Sequence, residues 1–121
     1  MLDASAVVDL LVYGTLQLPP GAVLVAPAHL DAEVLSALAR LCRAGQLSAA
    51  AVDDMLVGLA ELPLGRVELP QLLQPAFALR DNVAQRDSLY VVLAQQLDAL
   101  LLTLDARLAT ACRQQGLCRV A

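Results

Sequence analysis

Short apolar runs alternate with longer stretches of helical spacing through the 121 residues, and no other pattern restricts the fold as much. Ala22 to Ala26 (AVLVA), Gly65 to Leu69 (GRVEL) and Ala99 to Thr103 (ALLLT) read as short buried strands. Met1-Leu2 supplies the end of one more, and Leu117 to Val120 a last one. Between them the spacing predicts helices over 4–12, 28–44, 48–62, 71–83, 86–97 and 106–115. Pro19-Pro20-Gly21, Gly45, Pro63 and Gly116 punctuate them. Strands that alternate with helices or helix pairs predict a parallel sheet covered on both faces. The fold expected is therefore α/β, three layers with a short parallel sheet between helices, and residues 1–121 form one domain.

Aromatic residues make up only 2%, so the core has to be built from Leu, Val and Ala. At 59% hydrophobic, the chain exceeds an ordinary domain of about 45–50%. Two readings of that surplus stay open: apolar surface covered by a protein partner, or simply an Ala- and Leu-rich composition. Apolar stretches such as Leu97 to Leu104 are interrupted by Asp98 and fall short of a membrane span. No basic region precedes an apolar one at the N-terminus, so no export leader is expected. Cys42, Cys112 and Cys118 include no C-x-x-C pair and read as reduced thiols of a cytoplasmic protein.

Four acids stand at the edges of apolar segments: Asp3, Glu33, Asp87 and Asp105. Asp3 and Asp105 follow strands directly, while Glu33 and Asp87 lie in the opening turns of helices. In right-handed β-α units, strand C-termini and helix N-termini meet at one end of the sheet, where ligands bind. The four are thus expected to converge, and converging carboxylates repel until a cation arrives. Oxygen donors without Cys or His select a hard ion, Mg²⁺ or Mn²⁺. Such an ion activates water for in-line attack on a phosphodiester, so the chemistry expected is hydrolysis of a nucleic-acid backbone.

Each acid also has a structural reading. Asp3, Asp87 and Asp105 suit helix N-caps, and Glu33 suits a solvated helix face. Asp31, two positions from Glu33, points away from it on a helix, and Asp9 is held in reserve. His29, the only histidine, reads as a surface or capping residue near Pro27 rather than a base. The formal charge of −4 argues against a nucleic-acid partner, yet setting the four acids aside brings it to zero. All eight basic residues are Arg, the better bidentate phosphate ligand, but a high-GC codon bias gives the same preference, so composition alone does not decide the partner. Arg40, Arg43, Arg80 and Arg86 are unranked candidates for an RNA groove. The absence of Lys argues strongly against phospho-acceptor receivers and haloacid-type phosphatases, whose sites need one.

Taken together these residues resemble the PIN-domain family, specifically the VapC-type ribonuclease toxins of type II toxin–antitoxin pairs. Leu2-Asp3-Ala4-Ser5-Ala6 resembles that family's first-strand motif, and Pro27-Ala28-His29-Leu30-Asp31-Ala32-Glu33-Val34 its second. The third and fourth are resembled by Arg86-Asp87-Ser88-Leu89-Tyr90-Val91-Val92-Leu93-Ala94 and Leu102-Thr103-Leu104-Asp105-Ala106-Arg107-Leu108. The resemblance implies a Mg²⁺-dependent endoribonuclease with Asp3 and Asp87 as chief ligands. Glu33 and Asp105 would bind a second ion or orient the attacking water. It further implies that Ser5 and Thr103 support the carboxylates and that Arg107 contacts phosphate or a carboxylate. RNA substrate, a homodimer and a cognate antitoxin whose C-terminal segment blocks the site are implied as well. The alternative is a catalytically weak PIN-like binding module that acts through its partner. One departure stands out: only two residues precede Asp3. Either the start is late or the sheet edge is frayed, and fraying would loosen Asp3.

Overall fold

The computed structural model describes residues 1–121. Its helices are α1 (Ala4–Val12), α2 (Leu30–Arg43), α3 (Ala49–Glu61), α4 (Pro70–Ala78), α5 (Gln85–Leu97) and α6 (Ala106–Gln115). Two strands, β1 (Leu24–Pro27) and β2 (Leu64–Val67), pair in parallel with Leu24 opposite Leu64. The architecture is α/β, as the alternation predicts.

Caps explain several of the boundaries. Asp3, in extended conformation, accepts the Ala6 amide to open α1, and Ser48 accepts the Ala51 amide to open α3. Asp105 accepts the amides of Arg107 and Leu108 at the start of α6, which Gly116 closes in the left-handed region at φ 63°. The sequence misplaces α4. Pro70 does not end a strand there but starts the helix, where its missing N–H costs nothing. The helix then stops at Ala78, five residues short of expectation, with Pro75 already removing one interior amide donor.

Backbone pairing extends the sheet beyond its two regular strands. Leu2 donates to the Val25 carbonyl at 3.1 Å, and the amides of Asp3 and Leu102 reach Leu102 and Met1 carbonyls at 3.2 and 2.8 Å. Leu101 in turn donates to Arg119 at 2.9 Å. The parallel order is therefore β2, β1, Met1–Asp3, Leu101–Leu102, Arg119–Ala121. The runs expected as full strands over 99–103 and 117–120 reduce to isolated bridges at Leu101, Leu102 and Val120, because the segments beside them are so short. The N-terminal segment does not fray at an edge. It lies inside the sheet, with Leu2 fully buried and Met1 nearly so.

This order runs one way from Met1–Asp3 to β2 and the other way from Leu101 to Val120. The reversal falls between Met1–Asp3 and Leu101–Leu102. Right-handed crossovers then put α1, α2 and α3 on one face and α4, α5 and α6 on the other. Helix α5 packs on both α4 and β1. Every residue from Ser88 to Ala94 is buried, so it forms the centre of its layer rather than a half-exposed cover.

Candidate functional site

Where the strand order of an open parallel sheet reverses, the loops beyond the strand ends part and leave a crevice. Here a cavity of about 730 Å³ opens at that point. Its wall includes Asp3, Glu33, Asp87 and Asp105, contributed by four separate stretches of chain. All four sequence-predicted acids therefore face one space.

Asp3 is the most fixed of them. Only 4% of it is exposed. Ser5 Oγ donates to its Oδ1 at 2.6 Å and the Ala6 amide to the same oxygen at 3.0 Å. The Thr103 hydroxyl donates to Oδ2. Ser5 and Thr103 are linked further: Leu104 N donates to Ser5 Oγ at 2.8 Å, and Asp105 N to Thr103 Oγ1 at 3.0 Å. The two hydroxyls thus join the Asp3 turn to the Asp105 turn across the reversal point. Burial nevertheless pushes the Asp3 carboxyl above the ordinary aspartate range, and the charge of Asp105 adds to this.

Asp87, in the first turn of α5, is raised too. Burial is the main cause, followed by the charges of Asp105 and Glu33. Arg86 opposes them without prevailing. Asp105 directs Oδ1 at the α6 amides of Arg107 and Leu108, at 2.9 and 3.3 Å. Its capping role and its place on the cavity wall coexist.

Glu33 is held differently. Tyr90 donates its hydroxyl to Glu33 Oε1 at 2.5 Å. His29 Nε2 lies 3.4 Å from the same oxygen, and Arg86 Nε lies 3.7 Å from Oε2. Neither Tyr90 nor His29 stood out in the sequence as a partner of Glu33. The signal was there only as spacing: His29 is one turn before Glu33, and Tyr90 one turn after Asp87.

Other expectations divide. Arg40 and Arg86 line the cavity, whereas Arg43 does not and Arg80 lies over the Phe77 ring at 4.6 Å. Arg107 lines a separate depression along α6 with Thr110 and Gln114, and meets the acids through its backbone amide on Asp105. Asp31 does point elsewhere, pairing with Arg66 of β2 at 3.0 Å. Asp9 is also outside the cavity, held by Thr15 and Leu16.

No three His, Cys, Asp or Glu side chains are drawn together as ligands of a single ion. The acids stand along a wall with room between them. That arrangement suits Mg²⁺, which keeps several waters and takes only one or two carboxylates, more than it suits an ion enclosed by protein. The donor chemistry, carboxylate oxygen flanked by hydroxyls, fits the same class of cation.

No protein-family model matches the chain. It is 44% identical to Ribonuclease VapC3 of Mycobacterium tuberculosis, across 92% of this chain and 85% of that one. Ribonuclease VapC1 of the same organism is 38% identical, across 92% of this chain and 89% of its own length. Ribonuclease VapC12 is 35% identical, across 90% and 88%.

Proposed function

Since the chain belongs to the VapC-type ribonucleases of the PIN-domain family, we propose that it is the toxin of a type II toxin–antitoxin pair, a Mg²⁺-dependent endoribonuclease. One observation carries the reading: Asp3, Glu33, Asp87 and Asp105 line a single cavity where the strand order reverses. Burial first, and then the charge of Asp105, hold both the Asp3 and the Asp87 carboxyl above the ordinary range. A site that disfavours its own charges gains most from a cation.

In this reading Asp3 and Asp87 hold Mg²⁺ (Mn²⁺ would serve), with Asp105 and Glu33 completing the set or orienting the attacking water. When bound, the ion would supply Lewis-acid chemistry, making a water more acidic and offsetting the charge that gathers on the phosphate. Ser5 and Thr103 keep the Asp3 oxygens fixed, which limits reorganisation during the reaction. Arg40 and Arg86, on the same wall, bind backbone phosphates of the RNA. A cognate antitoxin and a homodimer belong to the same proposal. Leu73 and Phe77, one turn apart on α4 and 54% and 59% exposed, support a protein partner. No helix is long and apolar enough to cross a membrane.

The test is RNA cleavage by the purified chain with Mg²⁺ or Mn²⁺, with EDTA, and with Asp87→Asn. Cutting that needs the metal and disappears in the variant is expected. Cutting that persists in EDTA or in the variant would remove the metal-site reading. The rival reading is a binding module of little activity, and a folded wild-type chain that neither cuts RNA nor binds Mg²⁺ would establish it.

A further inference from the structure

We propose that Tyr90 is the positioning residue of Glu33: its hydroxyl engages Oε1, so that Glu33 presents Oε2 alone to the cavity. The proposal rests on the reading of the four acids as a Mg²⁺ site and adds a residue to it.

The geometry is specific. Tyr90 comes from α5 and Glu33 from α2, 57 residues apart, and their oxygens are 2.5 Å from each other. The Tyr90 residue is 1% exposed, and its ring is tilted 41° against the His29 ring at a centroid distance of 4.7 Å. His29 Nε2 lies 3.0 Å from the Arg86 carbonyl as well as 3.4 Å from Glu33 Oε1. Both neighbours are acceptors, which assigns the imidazole proton to Nε2. His29 thereby ties the first turn of α2 to the residue just before Asp87 on α5. Tyr90 crosses the same gap one turn further along.

Packing alone does not account for the hydroxyl. A Phe would fill the same space, and a buried hydroxyl is unfavourable unless it is paired. Its acceptor here is not a backbone carbonyl but one of the cavity's own acids. In that pair the phenol is the donor and the carboxylate oxygen the acceptor. Without that bond, Glu33 regains rotamer freedom. It is also free to swing onto Arg86, whose Nε is already 3.7 Å from Oε2. Both changes withdraw an oxygen from the ion.

Mg²⁺ affinity of the full chain, measured by calorimetry without RNA, tests this with four proteins: wild type, Tyr90→Phe, Glu33→Gln and the double variant. Loss of an outer partner of a metal ligand costs about tenfold or more in affinity. Tyr90→Phe should show that loss with its thermal midpoint nearly unchanged, and should add nothing in the Glu33→Gln background. A merely structural Tyr90 would weaken both backgrounds alike, and that result, or an unchanged affinity in Tyr90→Phe alone, overturns the proposal. Should Glu33→Gln itself bind Mg²⁺ like wild type, Glu33 is no ligand; the metal-site reading then loses that acid, and the proposal falls with it. A second measurement covers a variant that fails to fold. The chain has two Tyr and no Trp, so a Tyr13→Phe background leaves Tyr90 as the sole emitter. Mg²⁺ should change its emission there and leave it unchanged once Glu33→Gln is added; no change in the first protein rules the proposal out.

Discussion

The two ends of α1 each carry a buried aspartate, and the two are treated in opposite ways. Asp3 and Asp9 are both 4% exposed. At the C-terminal end, Asp9 takes the Thr15 hydroxyl at 2.5 Å and the Leu16 amide at 2.6 Å, and these hold its carboxyl below the ordinary range. Its charge is fully used in closing the loop that follows the helix. At the N-terminal end, Asp3 has three donors, yet burial outweighs them and Asp105 adds repulsion, so its carboxyl is raised. Equal surface exposure thus says little about role. What separates the two is first the loss of solvation, which prevails over the donors at Asp3 and yields to them at Asp9, and then the charge of Asp105, which only Asp3 faces.

The sharpest way to break this contrast is Asp3→Asn, which removes the charge and keeps the shape. RNA cleavage is expected to fall by roughly 10³-fold or more, as for a residue acting as part of a catalytic unit. Stability should move the other way. A carboxyl raised in the folded state imposes no penalty below its unfolded value near 3.8, and an increasing one as pH climbs through the higher folded value. In EDTA the variant should therefore gain on wild type in thermal midpoint as pH rises. A variant that loses ground with rising pH would show that Asp3 is an ordinary stabilising cap.

Thr103→Val is a smaller perturbation of the same end. It removes the donor to Asp3 Oδ2 and the acceptor of the Asp105 amide while keeping the side chain's volume. Cleavage should drop by about 10–100-fold with weaker Mg²⁺ binding, and Thr103→Ser should restore most of both. Equal losses in the Val and Ser variants would mean that packing, not the hydroxyl, is what matters at this position.

The helices were legible because their signals are local. Asp105 and Gly116 bracket α6 over Ala106–Gln115, the span that the sequence predicts. The acids were legible for the same reason, since each lies at the edge of an element whose end is marked. The sheet was less so. A segment as short as Met1–Leu2 acquires its place from the backbones on either side, Val25 and Leu102, and no pattern within two residues reports that it lies in the interior. The support of Glu33 was hidden too. Tyr90 and His29 reach it from a different helix and from the preceding turn, and only packing reveals that they meet. Arg107, which the family resemblance implies as a contact of phosphate or a carboxylate, lines another depression along α6.

The smallest effect is expected from the same substitution at the other end of the helix. In Asp9→Asn one of the two donors, Thr15 Oγ or Leu16 N, meets an amide nitrogen instead of an oxygen. Cleavage per folded molecule should stay at the wild-type rate, and the thermal midpoint at pH 7 should fall by roughly 2–5 °C. Here the folded carboxyl is depressed, so its stabilisation is present above the unfolded value near 3.8 and is lost as pH falls through the lower folded one. The gap between wild type and variant should therefore close in acid, whereas Asp3→Asn gains on wild type as pH rises. If both variants followed the same pH trend, the difference between the two ends of α1 would be one of degree. Opposite trends from one substitution on one helix would show that donors alone do not fix an aspartate's energetics, and that burial, with the repulsion of Asp105 added, reverses them at Asp3.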